Sequence, residues 1–527
     1  MSRFWFLLLA AAALYGLAAG RPARPADRLI GYTEAAKADL VESLPGWGDL
    51  DDVNIFAGYV DATPNRHLYY VYVESASDPS SDPLALWLNG GPGCSSIGGG
   101  FLSELGPFFP ADEGSKLVRN PLAWNRKSNI LFLDSPAYVG FSYSEDPSDR
   151  VVGDARTALD ARSFLLGWFE RFPQLKGRDF WITGESYAGH YLPNLASAIV
   201  LNSTAPFEDP VAGSAPPSAP PSEPLIPGFK GILVGNPWTD PELDNRGAVD
   251  FWFSHGIISR TTRDGIVDTC DFTRIGPLAA KAATGRSVRD PLAALAAQAP
   301  AAAADSECDW YVQTAQSNFE HINIYDIYAD VCLDRKAARA AAVGDGAAAA
   351  ADMRRLRKLL KDADEASGYN PCIDDEVSLY LNRKEVQEAL HVRPQAGPRG
   401  SSSLPAFWTD CTHEISYSWT DVLTSALPVY HALLKAPQPL RLVIYSGDVD
   451  AIVPVTGTRA WVHSLDLPVS EEWRPWFGDD GQVGGWTVGH GENVTFVSVR
   501  GAGHMVPYTQ PGRGRHLFER VIEGRDV

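Results

Sequence analysis

The chain has 527 residues, 45% apolar and 21% charged, the balance of a globular protein with a large core. Its net charge of -20 and pI near 5.0 argue against a nucleic-acid surface, which needs clustered positive charge facing phosphates. The plainer reading is a well-solvated acidic surface, compatible with an acidic compartment such as a vacuole or lysosome.

At the N-terminus, Arg3 precedes the apolar run "FWFLLLAAAALYGLAAG", which ends in small residues before "RPARPADR". This pattern predicts a cleavable secretory signal over 1–20, then an N-terminal segment or short propeptide over 21–40. The run is too short for a membrane anchor, and no later segment is long and apolar enough to span a bilayer, so no membrane association is expected after signal removal. Six cysteines in a secreted chain suggest three disulfides, with the pairing left open by sequence alone. None lies in a Cys-x-x-Cys pattern, and no metal or cofactor is expected. Sequons at Asn202 and Asn493 are candidate glycosylation sites.

Several short apolar runs end in glycine-rich or polar loops: "LALWLNGG", "NILFLDSP", "FWITGES", "GILVGNP", "RLVIYSGDVD" and "VTFVSVRGAGH". Continuous apolar strands belong in a sheet covered on both faces. The run 154–172 has apolar residues at helical spacing, and strands alternating with helices predict an α/β fold whose site lies beyond the carboxyl ends of the strands. The core is expected in two parts, 41–240 and 426–527. Between them, 241–425 breaks the rhythm, holds five of the six cysteines and reads as a mainly helical insertion. The Pro- and Ser-rich stretch 205–227 reads as an exposed loop. The stretch 334–368 combines low complexity with basic clusters; it reads as a linker open to proteolytic processing, although "MRRLRKLLKDA" within it reads equally well as a stable helix.

Ser186 stands at a predicted strand-to-helix turn, with Gly184 before it and Ala188 and Gly189 after it. That is the pattern of a nucleophile elbow, with Ala188 departing from the usual Gly-x-Ser-x-Gly. Asp448 and Asp450 follow another strand and His504 a third. The order Ser, Asp, His is that of α/β-hydrolases. Asp450, with two residues between it and "VP", is the candidate acid; Asp448 is expected to make turn hydrogen bonds.

Through "WLNGGPGCSS", "ELGPF", "LDSPAYVGFSYS", "GESYAGHYLP", "GNPWTD" and "GAGHMVP", the chain resembles plant-type serine carboxypeptidases from about Leu44 to its end. The resemblance implies an α/β-hydrolase fold, mostly parallel in its central sheet and with a helical insertion. It also implies release of C-terminal amino acids from peptides and proteins at acidic pH. Ser186, Asp450 and His504 would be the triad, the N–H groups of Gly91 and Tyr187 the oxyanion hole, and Asn89, Gly90, Glu104 and Glu185 the site for the substrate's carboxylate. On residues alone, Glu185 reads as a turn residue and Glu104 as a helix-surface acid. The implied disulfides are Cys94 with Cys411, Cys270 with Cys308, and Cys332 with Cys372. The last would keep a chain nicked within 334–368 joined, as in a processed zymogen.

Two departures stand out. Tyr138 replaces a common glycine and is expected to reshape a pocket wall. Met505 follows the histidine where relatives preferring basic residues can carry Glu, so a hydrophobic leaving residue is expected. The partners implied are peptide or protein C-termini and, as in relatives, a second copy in a homodimer. The alternatives are an acyltransferase using sugar-ester donors, which shares the triad, and a protective scaffold. The location implied is the secretory pathway, ending in a vacuole or outside the cell.

Overall fold

The computed structural model describes residues 29, 31–50, 52–201, 224–275, 277, 306–319, 322–332, 369–396, 402–403 and 406–527. The expected signal 1–20, the sequon at Asn202, most of the loop 205–227 and the linker 334–368 lie outside them.

The main strands are β1 (Ile55–Asp61), β2 (Arg66–Val73), β3 (Leu84–Leu88), β4 (Asn129–Leu133), β5 (Phe180–Glu185), β6 (Phe229–Gly235), β7 (Arg441–Gly447), β8 (Val469–Phe477), β9 (Val483–His490) and β10 (Val494–Val499). They form one sheet in the order β8, β9, β10, β7, β6, β5, β3, β4, β2, β1, with the two-residue strand Tyr143–Ser144 pairing on β2 as the eleventh. The block from β10 to β4 is parallel. Antiparallel strands close both edges.

The parallel strands are apolar because both of their faces are covered. All five residues of β3 are buried: Leu86 and Leu88 enter one core, while Ala85 and Trp87 enter the other. Burying such a side chain contributes roughly 1.5–3 kcal/mol. The first face carries α1 (Asp154–Arg171), α2 (Ala188–Val200) and α3 (Pro241–Ser254). In α1, Ala158, Ala161, Phe164, Leu165, Trp168 and Phe169 repeat every three or four residues and form the buried stripe.

The region 241–425 is mainly helical where described. After α3 it supplies α4 (Arg260–Thr269) and α5 (Ser306–Ser317), tied together by Cys270–Cys308. Next, α6 (Ile373–Leu381) crosses to the second face, where it joins a π-helix, Ile97–Glu104, and α8 (Pro511–Ile522). On the first face α7 (Val455–Ser464) packs against α3. Among the described residues no helix is long and apolar enough to cross a membrane.

Candidate active site

Ser186, Asp450 and His504 follow β5, β7 and β10, all at the carboxyl ends of parallel strands. Ser186 is the first residue past β5 and holds φ at 63°, the left-handed region. A non-glycine residue there is strained and must be held by its surroundings. The holding bonds are its own N–H to Gly235 O at 3.0 Å, and its carbonyl accepting from Gly189 N and Trp238 N at 2.9 Å each.

The flanking glycines are needed for space. A Cβ on Gly184 would lie 2.3 Å from Leu88 O and 2.9 Å from the Cβ of Ala188; one on Gly189 would lie 2.2 Å from Trp238 O. Gly184 thus makes room for the methyl group of Ala188, which the motif's usual second glycine would not need.

Asp450 is fully buried, and its carboxylate is saturated with donors. Oδ1 accepts from Ile452 N at 2.8 Å, while Oδ2 accepts from Val453 N at 3.2 Å, Asn236 Nδ2 at 2.8 Å and His504 Nδ1 at 2.7 Å. A proton held on Nδ1 leaves Nε2 as the basic nitrogen of a neutral imidazole. His504 is fixed from behind as well, its N–H donating to Tyr325 O at 2.7 Å. Asp448 instead accepts from Gly501 N at 2.6 Å, bracing the turn before the histidine.

Gly90 packs directly on the elbow: a Cβ there would stand 2.4 Å from Tyr187 N and 2.8 Å from Ser186 Cβ. The adjoining turn is tied by Cys94 N to Gly90 O at 3.1 Å and by the Cys94–Cys411 disulfide. Tyr187 is anchored through its phenol, which donates to Asp154 Oδ1 at 3.1 Å. The same carboxylate accepts from Tyr417 OH at 2.7 Å and pairs with His190 Nδ1 at 2.8 Å. This second buried Asp–His pair and the Asn236 contact were not foreseen from the sequence, because both depend on knowing which distant segments meet.

Glu104 and Glu185 are neither helix-surface nor turn acids, being only 2% and 4% exposed. Asn89 Nδ2 donates to Glu104 Oε1 at 3.0 Å and to Glu185 Oε1 at 3.3 Å. Its Oδ1 accepts from Trp87 Nε1 at 2.6 Å and Gly100 N at 3.0 Å, which fixes the orientation of the amide. The π-helix brings Glu104 in. Its glycines admit the neighbours: a Cβ on Gly99 would lie 2.4 Å from Asn89 Nδ2, and one on Gly100 2.3 Å from Trp87 Cδ1.

The two carboxyls act directly on each other, an arrangement that a proton shared between them would favour. Burial pushes both above the usual carboxylate range, and the charge of Glu104 raises Glu185 further. A carboxyl pair that keeps a proton can bind an incoming carboxylate; the doubly ionised pair repels one.

Met505 is half-buried beside the second core, and its carbonyl caps the turn through Tyr508 N at 3.1 Å and Thr509 N at 2.9 Å. Tyr138 adopts φ 74°, donates to Asp146 O at 2.9 Å and carries the Arg150 guanidinium 4.3 Å above its ring. Cys332 is bonded to Cys372. Asn493 sits half-exposed in the turn between β9 and β10.

The serine carboxypeptidase family model matches residues 45–524. Among curated proteins, the chain is 37% identical to serine carboxypeptidase-like 25 of Arabidopsis thaliana, over 94% of each chain. It is 38% identical to serine carboxypeptidase 24 of the same plant, over 93% of each. Among solved structures, its fold is similar to that of Kex1(delta)p, a prohormone-processing carboxypeptidase from Saccharomyces cerevisiae. The TM-score is 0.66 at 20% identity, covering 93% of this chain and 96% of that one.

Proposed function

The chain belongs to the serine carboxypeptidase family, an α/β-hydrolase fold with peptides as substrates, and on that premise we propose how its residues divide the work. Ser186 attacks the last peptide carbonyl while His504 Nε2 takes its proton, and Asp450 holds the imidazole in the required tautomer. The oxyanion is held by the N–H groups of Gly91 and Tyr187. His504 then protonates the departing amino acid, and water releases the acyl group by the reverse sequence.

The buried pair Glu104–Glu185, one residue from Ser186 and bridged by Asn89, is the observation that carries the reading. With Gly90 it recognises the free carboxylate at a peptide's end, so cleavage is confined to the last bond and favours acidic pH. The completeness of this set also favours peptide hydrolysis over acyl transfer from sugar esters. Met505 sets a preference for hydrophobic leaving residues. Glycans at Asn202 and Asn493, a signal over 1–20 and three disulfides fit a vacuolar or extracellular enzyme, with a homodimer as its assembly.

N-blocked dipeptides assayed across pH, with and without Ser186→Ala, test the proposal. Hydrolysis of free-carboxylate substrates, strongest in acid and abolished by the substitution, is expected. Transfer from glucose esters without peptide cleavage would overturn it.

A further inference from the structure

Glu185, Gly235 and Tyr445 stand side by side across β5, β6 and β7, because Glu185 pairs with Gly235, and Gly235 with Tyr445, in the parallel register. Residues in register on adjacent strands project from the same face. Gly235 has no side chain, and the end of the Tyr445 ring takes its place. A Cβ at Gly235 would lie 2.4 Å from Tyr445 Cζ and 2.6 Å from its hydroxyl oxygen. The ring therefore lies over the middle strand, with its hydroxyl reaching toward the strand that carries Glu185.

That hydroxyl is buried and has no hydrogen-bond partner among the described residues. In the carboxyl pair, Oε2 of Glu104 and Oε2 of Glu185 are likewise buried, with no hydrogen-bond partner among the described residues. An unpaired buried hydroxyl is unfavourable, and one beside two acceptor-rich groups points to a use in another protonation state.

We propose that Tyr445 is a positioning residue of the carboxylate-recognition site: when the Glu104–Glu185 pair gives up its shared proton, the Tyr445 hydroxyl donates to Glu185 and holds the ionised pair in place. This rests on the reading of the pair given above. The phenol itself stays protonated, since burial and then the Glu185 and Glu104 carboxyls hold its proton on. The other charged groups acting on the pair are His504, which favours ionisation, and Asp450, Asp410 and Asp374, which oppose it. Tyr445 is thus a neutral donor in a setting dominated by negative charge.

A donor to the ionised form lowers a carboxyl's pKa, so removing it raises the pH at which the pair ionises. In Tyr445→Phe, the descending limb of hydrolysis for an N-blocked dipeptide should move up by about one pH unit, read mainly in KM. The limb for the matched C-terminal amide, which has no carboxylate to recognise, should not follow it. Site-specific 3-fluorotyrosine at 445, a stronger donor of nearly the same size, should move the dipeptide limb down, and it carries the test alone if the Phe variant does not fold. If neither replacement moves the limb, Tyr445 only packs and the inference falls. If the unaltered enzyme already shows one pH profile for dipeptide and amide, the reading of the pair falls first.

Discussion

Asn236 donates its side-chain amide to Asp450 Oδ2 at 2.8 Å, the same oxygen that receives His504 Nδ1. Its own Oδ1 accepts from Gly447 N at 3.1 Å, and its backbone sits at φ 40°, a conformation asparagine tolerates better than most side chains. Asn236→Ala should loosen the acid that orients His504, lowering kcat about tenfold, or roughly 1.4 kcal/mol of barrier. Dipeptide and ester substrates should be affected alike. Leaving Gly447 N unpaired should also cost about 1–3 kcal/mol of stability. Steady-state rates and a melting curve check both; an unchanged kcat would remove Asn236 from the machinery.

Glu104→Gln takes one negative charge from the carboxyl pair but keeps a group that can accept from Asn89. KM for a free-carboxylate dipeptide should then rise less steeply through neutral pH than in the unaltered enzyme. KM measured on both sides of neutrality checks this, and an unaltered slope would mean that the pair does not control recognition.

Stability should fall as pH rises. Burial pushes Asp134 up to about 7 and Asp244 up to about 8, against the opposing hydrogen bonds each accepts. Between the unfolded value of about 3.9 and these folded values the native chain binds more protons than the unfolded one. Each group can therefore remove at most about 1.4 kcal/mol per pH unit across that window. Calorimetry should give a higher Tm in mild acid than in mild base, and Asp244→Asn should flatten the upper part of the decline. A Tm that climbs through the window would contradict the argument.

Met505→Glu places a carboxylate beside the histidine turn. The ratio of kcat/KM for matched dipeptides ending in Leu and in Arg should fall by at least about tenfold, as a favourable charge pair replaces an apolar contact. A ratio that holds would sink the assignment of Met505 to the leaving-residue site.

The Cys332–Cys372 disulfide joins the two flanks of 334–368, and the far flank is docked by Asn370 N to Tyr508 OH at 2.8 Å. A chain cut in that stretch should run as one species without reductant and as two with it, with activity retained. A single reduced band from the native source would show that no cut occurs.

The parallel strands were legible because a strand buried on both faces is apolar throughout, and the triad candidates because each follows such a strand within five residues. The edges were not. β8 reads "VSEEWRPWF", almost wholly exposed and interrupted by Pro475, so it carries no period; the β1–β2 hairpin lacks the alternation of a half-exposed strand, being buried nearly throughout. From residues alone Glu104 read as a helix-surface acid, because nothing in "IGGGFLSE" tells that its glycines are the clearance a wide helix needs against Asn89 and Trp87. Asn236 and Tyr445 could not be read at all, since their roles exist only once β6 lies beside β7.

That adjacency has a consequence for biosynthesis. β6 ends at Gly235 and the strand that covers its open edge begins at Arg441, so a chain emerging from the ribosome must carry an unpaired central strand through the synthesis of the whole insertion. Open edges invite wrong partners, and such distant pairing is slow. In the proposed triad Asp450 and His504 follow Ser186 across the whole insertion, so the nucleophile cannot meet its base until nearly the whole chain has been made.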